Sequence, residues 1–210
     1  MKINRQNCTP CRMLLTLVCA MLLAGCGGLQ APKVEKPNLY VLDARASARA
    51  VQIKRDLVLA VSMPRARSGF DTPQMVYLRQ PQKLEYFAVN RWANAPARML
   101  GPLLVQALEQ TGGFRAVVQS PGTIPANIRL DTELIRLQQD FGARPSKVQL
   151  TLRAQLIDVA DQRVLAVKLF DEVEDAVSDD AYGGSAAANR VLQRVLDQLA
   201  DFCINESASH

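Results

Sequence analysis

The clearest pattern in the chain is a strict alternation of apolar and polar residues over 147–156. Val148 and every second residue after it are apolar, whereas the residues between them are polar. This period of two predicts a strand with one buried and one solvated face, as in an antiparallel sheet. Residues 158–163 are predicted to form a turn, after which 164–173 pair back against the first strand.

Six further segments are predicted to be strands. They are 39–42, 57–61, 75–78, 84–89, 114–119 and 128–138. The continuous apolar run 57–61 is consistent with a strand that is covered on both faces. Segments 75–78 and 84–89 flank a short polar stretch, which predicts a hairpin. Within 128–138 the apolar phase changes after Leu134, which predicts a bulge or a strong bend.

Apolar residues recur at helical spacing in two segments, 95–111 and 185–203. Pro96 suits the first turn of the earlier helix, and the glycine pair 112–113 suits its end. Pro102 is expected to kink this helix or to mark its true start, because proline lacks a backbone N–H. Together the elements predict an α+β fold, with a mostly antiparallel sheet of about eight strands and two long helices packed on one face.

A different pattern occupies the first 25 residues. Three basic residues and no acidic one precede the apolar run 13–24, which is shorter than the roughly 20 residues that a membrane span needs. The small residues Ala24 and Gly25 then lead directly to Cys26. A basic segment, a short apolar run and small residues together have the layout of a secretory signal peptide.

Leu23-Ala24-Gly25-Cys26 resembles the lipobox of bacterial lipoproteins. The resemblance implies lipid on the Cys26 thiol, cleavage by signal peptidase II between Gly25 and Cys26, and an acyl chain such as palmitate on the new amino terminus. Several chains would form a stable anchor, whereas one chain holds only marginally. Gly27, where an aspartate would favour the inner membrane, implies an outer-membrane anchor with the body facing the periplasm. The alternative is an ordinary signal peptide with an accidental cysteine.

The chain is therefore predicted to have four parts. They are a signal peptide over 1–25, a lipidated cysteine with a flexible tether over 26–38, a domain over 39–203 and a polar tail over 204–210. The tether could reach about 40 Å when extended. Removal of the signal peptide lowers the formal charge from +5 to +2. Because the remaining basic residues are scattered, we expect no nucleic-acid partner.

The residue inventory argues against an enzyme. The only histidine is His210 in the polar tail, which excludes a histidine-based triad or metal cluster in the body. Four carboxylate pairs are interpreted as solvated acidic surface rather than as a glycosidase or calcium site. They are Asp131 with Glu133, Asp171 with Glu172, Glu174 with Asp175, and Asp179 with Asp180. We therefore expect no catalytic residue, metal or cofactor.

The cysteines and aromatic residues add little chemistry. Three cysteines, including a C-x-x-C at 8–11, leave with the signal peptide and are not interpreted as redox or zinc ligands. Because the next cysteine is the lipidated one, Cys203 remains alone and is expected to be buried on the last helix. Trp92 is expected in the core, and Tyr77 and Tyr86 at a sheet edge or an interface.

A diffuse set of apolar, aromatic and glycine positions runs through residues 70–118. They are Tyr77, Leu84, Tyr86, Ala88, Trp92, Pro96, Met99, Leu100, Leu108, Gly112, Phe114, Val117 and Val118. Together with Tyr40-Val41-Leu42 and the lipobox, they resemble the ABC-type transport auxiliary lipoprotein family, which includes the paraquat-inducible protein C-like lipoproteins. The resemblance extends over about residues 39–202.

The resemblance implies a partner rather than a substrate. Such lipoproteins accompany ABC transport systems, with a permease, an ATPase and a mammalian-cell-entry (MCE) domain protein, that move lipids or organic solvents between the inner and outer membranes. A lipid-anchored body would dock the MCE assembly. An exposed sheet edge is one surface that could bind this assembly. A homo-oligomer is compatible with this role. Two alternatives stay open, a lipid-binding carrier and a structural lipoprotein of outer-membrane integrity.

Overall fold

The structure is a computed structural model that describes residues 35–47 and 54–209. Residues Pro37–His210 belong to one compact unit, the body. In chain order, the described elements are β1 (Asn38–Tyr40), β2 (Arg55–Ser62), β3 (Arg65–Ala66), β4 (Gln74–Leu78), β5 (Glu85–Trp92), α1 (Pro96–Gln110), β6 (Phe114–Ser120), β7 (Ile128–Asp140), β8 (Lys147–Asp158), β9 (Val164–Asp175) and α2 (Ala181–Glu206). A 3₁₀ turn over Ser207–Ser209 follows the second helix.

The fold is α+β, and the described strands form one sheet of nine strands. The sheet contains both parallel and antiparallel pairs, so the expectation of a mostly antiparallel sheet was wrong. Strand β7 is its spine. One edge of β7 pairs in parallel with β2, then β3, then β4, and the other edge pairs with antiparallel β8 along its whole length. Strand β6 is parallel to β2, because the chain crosses over through α1 before it returns, and β1 is parallel to β5.

The strand pairs predicted from alternation are confirmed. The alternating apolar residues of β8, from Val148 to Leu156, are at most 2% exposed, and β8 is antiparallel to β7 and β9. Strands β4 and β5 form the predicted hairpin. The phase change in β7 is a bulge between Leu134 and Arg136. The bulge keeps Leu134 and Leu137 both buried.

Both predicted helices are present, with different bounds for the second. Pro96 starts α1 as expected, whereas Pro102 lies inside a continuous helix and does not mark its start. Helix α2 begins four residues earlier than predicted because the Asp180 side chain caps it, accepting a hydrogen bond of 2.7 Å from the Gly183 N–H. It also continues to Glu206, so the first residues of the predicted polar tail are helical.

The apolar residues of the sheet and both helices form one hydrophobic core. Helix α2 packs against β8 and β9, helix α1 packs against β2 and β6, and the two helices contact each other. That both helices cover the same face of the sheet stays a prediction. Trp92 and Cys203 are buried as expected, with 4% and 0% exposure. No helix in the described ranges has the length and hydropathy to cross a membrane.

Candidate functional site

The residues predicted to carry the membrane anchor lie outside the described part of the chain. Gly25 and Cys26 precede residue 35, and His210 follows residue 209. Lipidation of Cys26 and cleavage before it therefore stay predictions. The described body contains the other candidates, which are the carboxylate pairs and the two tyrosines of the hairpin.

Asp131 and Glu133 lie on the outer face of β7, between its buried residues. The Asp131 carboxylate accepts hydrogen bonds from the Ser62 hydroxyl, at 2.6 Å, and from Arg129 Nε, at 3.0 Å. It thus joins β2 to β7, a structural role. Within the described residues, no group of three or more His, Cys, Asp and Glu side chains is placed to hold a metal ion.

Two acidic residues of β9, Glu172 and Glu174, hold the sheet to helix α2. The Glu174 carboxylate accepts hydrogen bonds of 2.6 Å from Arg190 Nε and from Arg194 Nη1. The pKa of Glu174 is lowered, first by the bond from Arg190 and then by Arg194, despite partial burial. Glu172 accepts a bond of 2.7 Å from Gln198 Nε2 in the same contact. These carboxylates pack helix α2 on the edge strand β9.

Asp179 and Asp180 fix the start of α2. The Asp179 carboxylate accepts the Ser146 backbone N–H at 2.7 Å, and this bond lowers the pKa of Asp179. The Asp180 carboxylate accepts the Gly183 N–H and the Ser178 hydroxyl, which together lower the pKa of Asp180. Asp180 therefore caps α2, and Asp179 joins the loop before α2 to the β7–β8 loop.

Two open grooves share the β4–β5 hairpin as a wall. The first, the aromatic groove, has a volume of about 540 Å³ and is lined by Tyr77, Arg79, Tyr86, Phe87, Ala88, Phe141 and Arg144. The second, the arginine groove, has a volume of about 510 Å³. Arg79 lines both grooves. Each volume is in the range of small-molecule and peptide sites.

Three rings form the wall of the aromatic groove. The Tyr77 centroid lies 4.7 Å from that of Phe87 and 5.7 Å from that of Phe141, and the Phe87 and Phe141 centroids are 6.3 Å apart. The tilted and edge-on geometries are those that aromatic pairs favour. The cluster joins the hairpin to the loop after β7, while Tyr86 is 38% exposed.

A hydrogen-bonded network orders the hairpin between the grooves. Arg79 Nη2 donates to the Tyr77 hydroxyl at 2.8 Å, and this hydroxyl donates to Glu85 Oε2 at 2.9 Å. The Arg79 guanidinium also lies 5.2 Å from the centroid of the Tyr77 ring. The bond from Tyr77 lowers the pKa of Glu85, and Arg79 and Lys83 reinforce the effect. The network holds Arg79 at the boundary of both grooves.

The arginine groove combines cations, amides and apolar residues. Its lining residues are Arg67, Phe70, Leu78, Arg79, Gln80, Pro81, Gln82, Leu84, Ile135, Arg136, Gln138, Asp140, Gly142 and Gln149. Gln138 and Gln149 are cross-strand partners on β7 and β8. Sequence reasoning singled out Tyr77 and Tyr86 but missed the three arginines of this groove, because they come from three separate segments. The only sequence signal was the phase change beside Arg136.

The sequence profile of the ABC-type transport auxiliary lipoprotein component matches residues 40–200. The chain belongs to this family, as the resemblance predicted. The family is one of transport accessory lipoproteins and is not an enzyme class. No curated protein matches the chain at a significant level.

Two solved structures share the fold. The protein XCC0632 of Xanthomonas campestris, from the family DUF330, is 23% identical, with a TM-score of 0.75 over 82% of this chain and 98% of that chain. The hypothetical protein CT253 of Chlamydia trachomatis is 10% identical, with a TM-score of 0.52 over 74% of this chain and 100% of that chain. At these identities the similarity shows the fold alone.

Proposed function

We propose that the protein is a lipid-anchored periplasmic accessory subunit of an MCE-type ABC transport system. Its cargo would be lipids or organic solvents moved between the two membranes. The observation that carries the proposal is the family match over residues 40–200, in a chain that has a lipobox-like sequence at 23–26, upstream of the matched region. In this role the body positions a partner and performs no chemistry.

The anchor of the proposed subunit is Cys26, freed by cleavage after Gly25 and acylated with palmitate or similar chains. Two or more acyl chains hold a protein at a membrane durably, because each buried CH₂ contributes about 0.8 kcal/mol. The residue at position 27 is glycine, and we propose on this basis that the membrane is the outer one. A tether up to residue 38 would let the body stand away from the bilayer.

The segment that follows this tether is packed closely against the rest of the body. Leu42 and Ala44 are buried, with 5% and 7% exposure. The Asn189 side chain of α2 accepts the Asp43 N–H at 2.9 Å and donates to the Val41 carbonyl at 3.0 Å. The two bonds fix this segment to α2, and this close attachment supports an anchoring role for the residues before it.

The anchor is tested by mass spectrometry of the amino-terminal peptide from purified membranes. The proposal predicts that Cys26 is the first residue and carries diacylglyceryl and acyl groups. Cys26→Ala should remain unprocessed and lose the modified peptide, whereas Cys203→Ala, the matched control in the buried core, should keep it. An unmodified mature amino terminus at any position would contradict the proposal.

A lipid carrier with an apolar cavity is the second candidate. The cavity between Met75, Trp92, Leu137 and Ala188 has a volume of only about 10 Å³, which is room for about one water molecule. Native mass spectrometry of the body separates the candidates, since a carrier would retain phospholipid and an accessory subunit would not. A structural role in outer-membrane integrity would instead leave transport-system proteins absent from purified complexes.

A further inference from the structure

We propose that the arginine groove binds an extended peptide segment that carries carboxylates and belongs to a protein partner. The groove opens on the outer face of the sheet beside the β4–β5 hairpin, where β7 and β8 supply Arg136, Gln138 and Gln149. The inference names a docking surface for the proposed accessory subunit, and so it rests on the proposed function.

The arginine groove has an excess of positive charge. Arg67, Arg79 and Arg136 line it, and Asp140 is the only carboxylate among its lining residues. Arg79 is paired with Glu85, so Arg67 and Arg136 supply the excess positive charge. The Asp140 carboxylate is engaged by the Gly142 N–H at 2.8 Å. Among the described residues, no ion pair or hydrogen bond involves the side chain of Arg67 or Arg136. These two guanidiniums each offer a planar fork of donors, which matches a carboxylate in two-point contact.

The bulge in β7 places Arg136 in the groove. Leu134 pairs with Leu152 and Leu137 pairs with Leu150, so the bulged strand has one residue more than its partner between these pairs. The extra residue lets Ile135 and Arg136 both line the groove while the leucines stay in the core. Bulges that aim a side chain in this way are common next to binding sites. Arg136 is thereby half-buried, which strengthens its attraction for an anion.

The amides of the groove favour a peptide over a phosphate. Four glutamines line it: Gln80, Gln82, Gln138 and Gln149. Each amide both donates and accepts hydrogen bonds, as a peptide bond does, whereas an ionised phosphate only accepts. Gln138 is 7% exposed and is paired across the strands with Gln149. A site for a bare oxyanion needs no acceptors, so these amides indicate a ligand with N–H groups.

Apolar residues complete the match with a polypeptide. Phe70, Leu78, Leu84 and Ile135 line the same groove as the arginines. They offer contact to the methylene groups of glutamate or to neighbouring apolar side chains. The groove is open to solvent, with no enclosed chamber for acyl chains, so an extended segment can lie along it. An acidic segment of a protein partner is the ligand that uses all three kinds of lining residue.

The test uses the body, residues 37–210, with hexaglutamate as the probe. The body has its own core, and the Xanthomonas protein has the same fold over 98% of its chain. Isothermal titration calorimetry at low salt should detect hexaglutamate binding and no binding of hexaglutamine. Arg136→Gln should weaken the binding at least tenfold, because it removes a guanidinium fork from a half-buried position.

Arg163→Gln is the matched control, since it removes the same charge from the exposed turn between β8 and β9. The control should keep the affinity within about twofold, which is the scale of an exposed long-range charge. Three results would overturn the proposal. They are no binding of hexaglutamate, equal weakening by both substitutions, and displacement of hexaglutamate by equimolar inorganic phosphate. Because the body carries no lipid anchor, failure here is distinguishable from failure of the Cys26 measurement.

Discussion

Replacing Gly183 with alanine tests how closely the start of α2 is docked. A Cβ at Gly183 would lie 2.6 Å from the Ser178 amide nitrogen and still closer to the Ser178 carbonyl oxygen. Real Cβ atoms do not approach backbone atoms this closely, so either the helix or the 178–180 loop must shift. A shift would also strain the hydrogen bond from the Gly183 N–H to Asp180.

The expected change in the free energy of unfolding combines two destabilising contributions and one stabilising contribution. Overpacking against fixed atoms costs about 1–3 kcal/mol, and a weakened N-cap costs about 1 kcal/mol more. Alanine recovers at most about 1 kcal/mol through its higher helix propensity. We therefore expect Gly183→Ala to lower the free energy of unfolding by about 1–3 kcal/mol.

Gly101 is a matched control in the middle of α1. A Cβ there would lie 3.4 Å from Met63 Sδ and from Pro64 Cδ, which is ordinary van der Waals contact. Gly101→Ala should therefore raise the free energy of unfolding by about 0.5–1 kcal/mol. Urea denaturation of the body, followed by the fluorescence of the single tryptophan, Trp92, measures both variants. If Gly183→Ala is as stable as the parent or more so, the close docking of α2 is refuted.

Three further predictions follow from contacts around α2. The hydrogen bonds from Arg190 and Arg194 lower the pKa of Glu174. The ionised Glu174 carboxylate therefore contributes its full stabilisation above the ordinary pKa of 4.5, and this stabilisation is lost as the pH falls through the lowered pKa. Glu174→Gln should remove this part of the acid dependence of urea unfolding. Burial raises the pKa of the Cys203 thiol, so iodoacetamide should alkylate it only in urea, and rapid alkylation of the folded body would contradict its placement. Asn189→Ala should destabilise the body by about 1–2 kcal/mol, through two lost backbone contacts, and increase proteolysis within 35–47. An unchanged proteolytic pattern would show that Asn189 does not hold this segment on α2.

Side-chain periodicity was sufficient to predict most of the elements. Each buried strand of the β7–β8 hairpin shows its own alternation, because one face meets the core and the other meets solvent. The bulge was predictable for the same reason, since an inserted residue must reverse the phase if Leu134 and Leu137 are both to stay buried. The helix stripes were likewise local signals.

Strand direction could not be predicted in the same way. A buried strand such as β2 has the same apolar run whether its neighbours are parallel or antiparallel. The parallel pairings of β7 with β2, β3 and β4 depend on where the intervening loops lead the chain. The alternation of β8 correctly indicates antiparallel neighbours, but it carries no information on the direction of β2, β3, β4 and β6.

The bounds of α2 were missed for a local reason. Gly183 and Gly184 are poor helix formers, so the pattern indicated a start at residue 185. The glycines are instead accommodated because the first turn lies against Ser178 and Gln139, where a Cβ would clash. Close tertiary packing thus overrode propensity. The arginine groove could not be predicted from the sequence for a related reason. Arg67, Arg79 and Arg136 come from separate segments and line one groove only in the folded protein.

Affinity purification of the mature protein from detergent-solubilised membranes tests the central claim most directly. The protein carries a tag after residue 210, and recovered proteins are quantified by mass spectrometry against an untagged strain. The account predicts that an MCE-domain protein is enriched together with an ABC permease and ATPase, and that Cys26→Ala reduces this recovery. Recovery of the lipidated protein with no component of a transport system would contradict it.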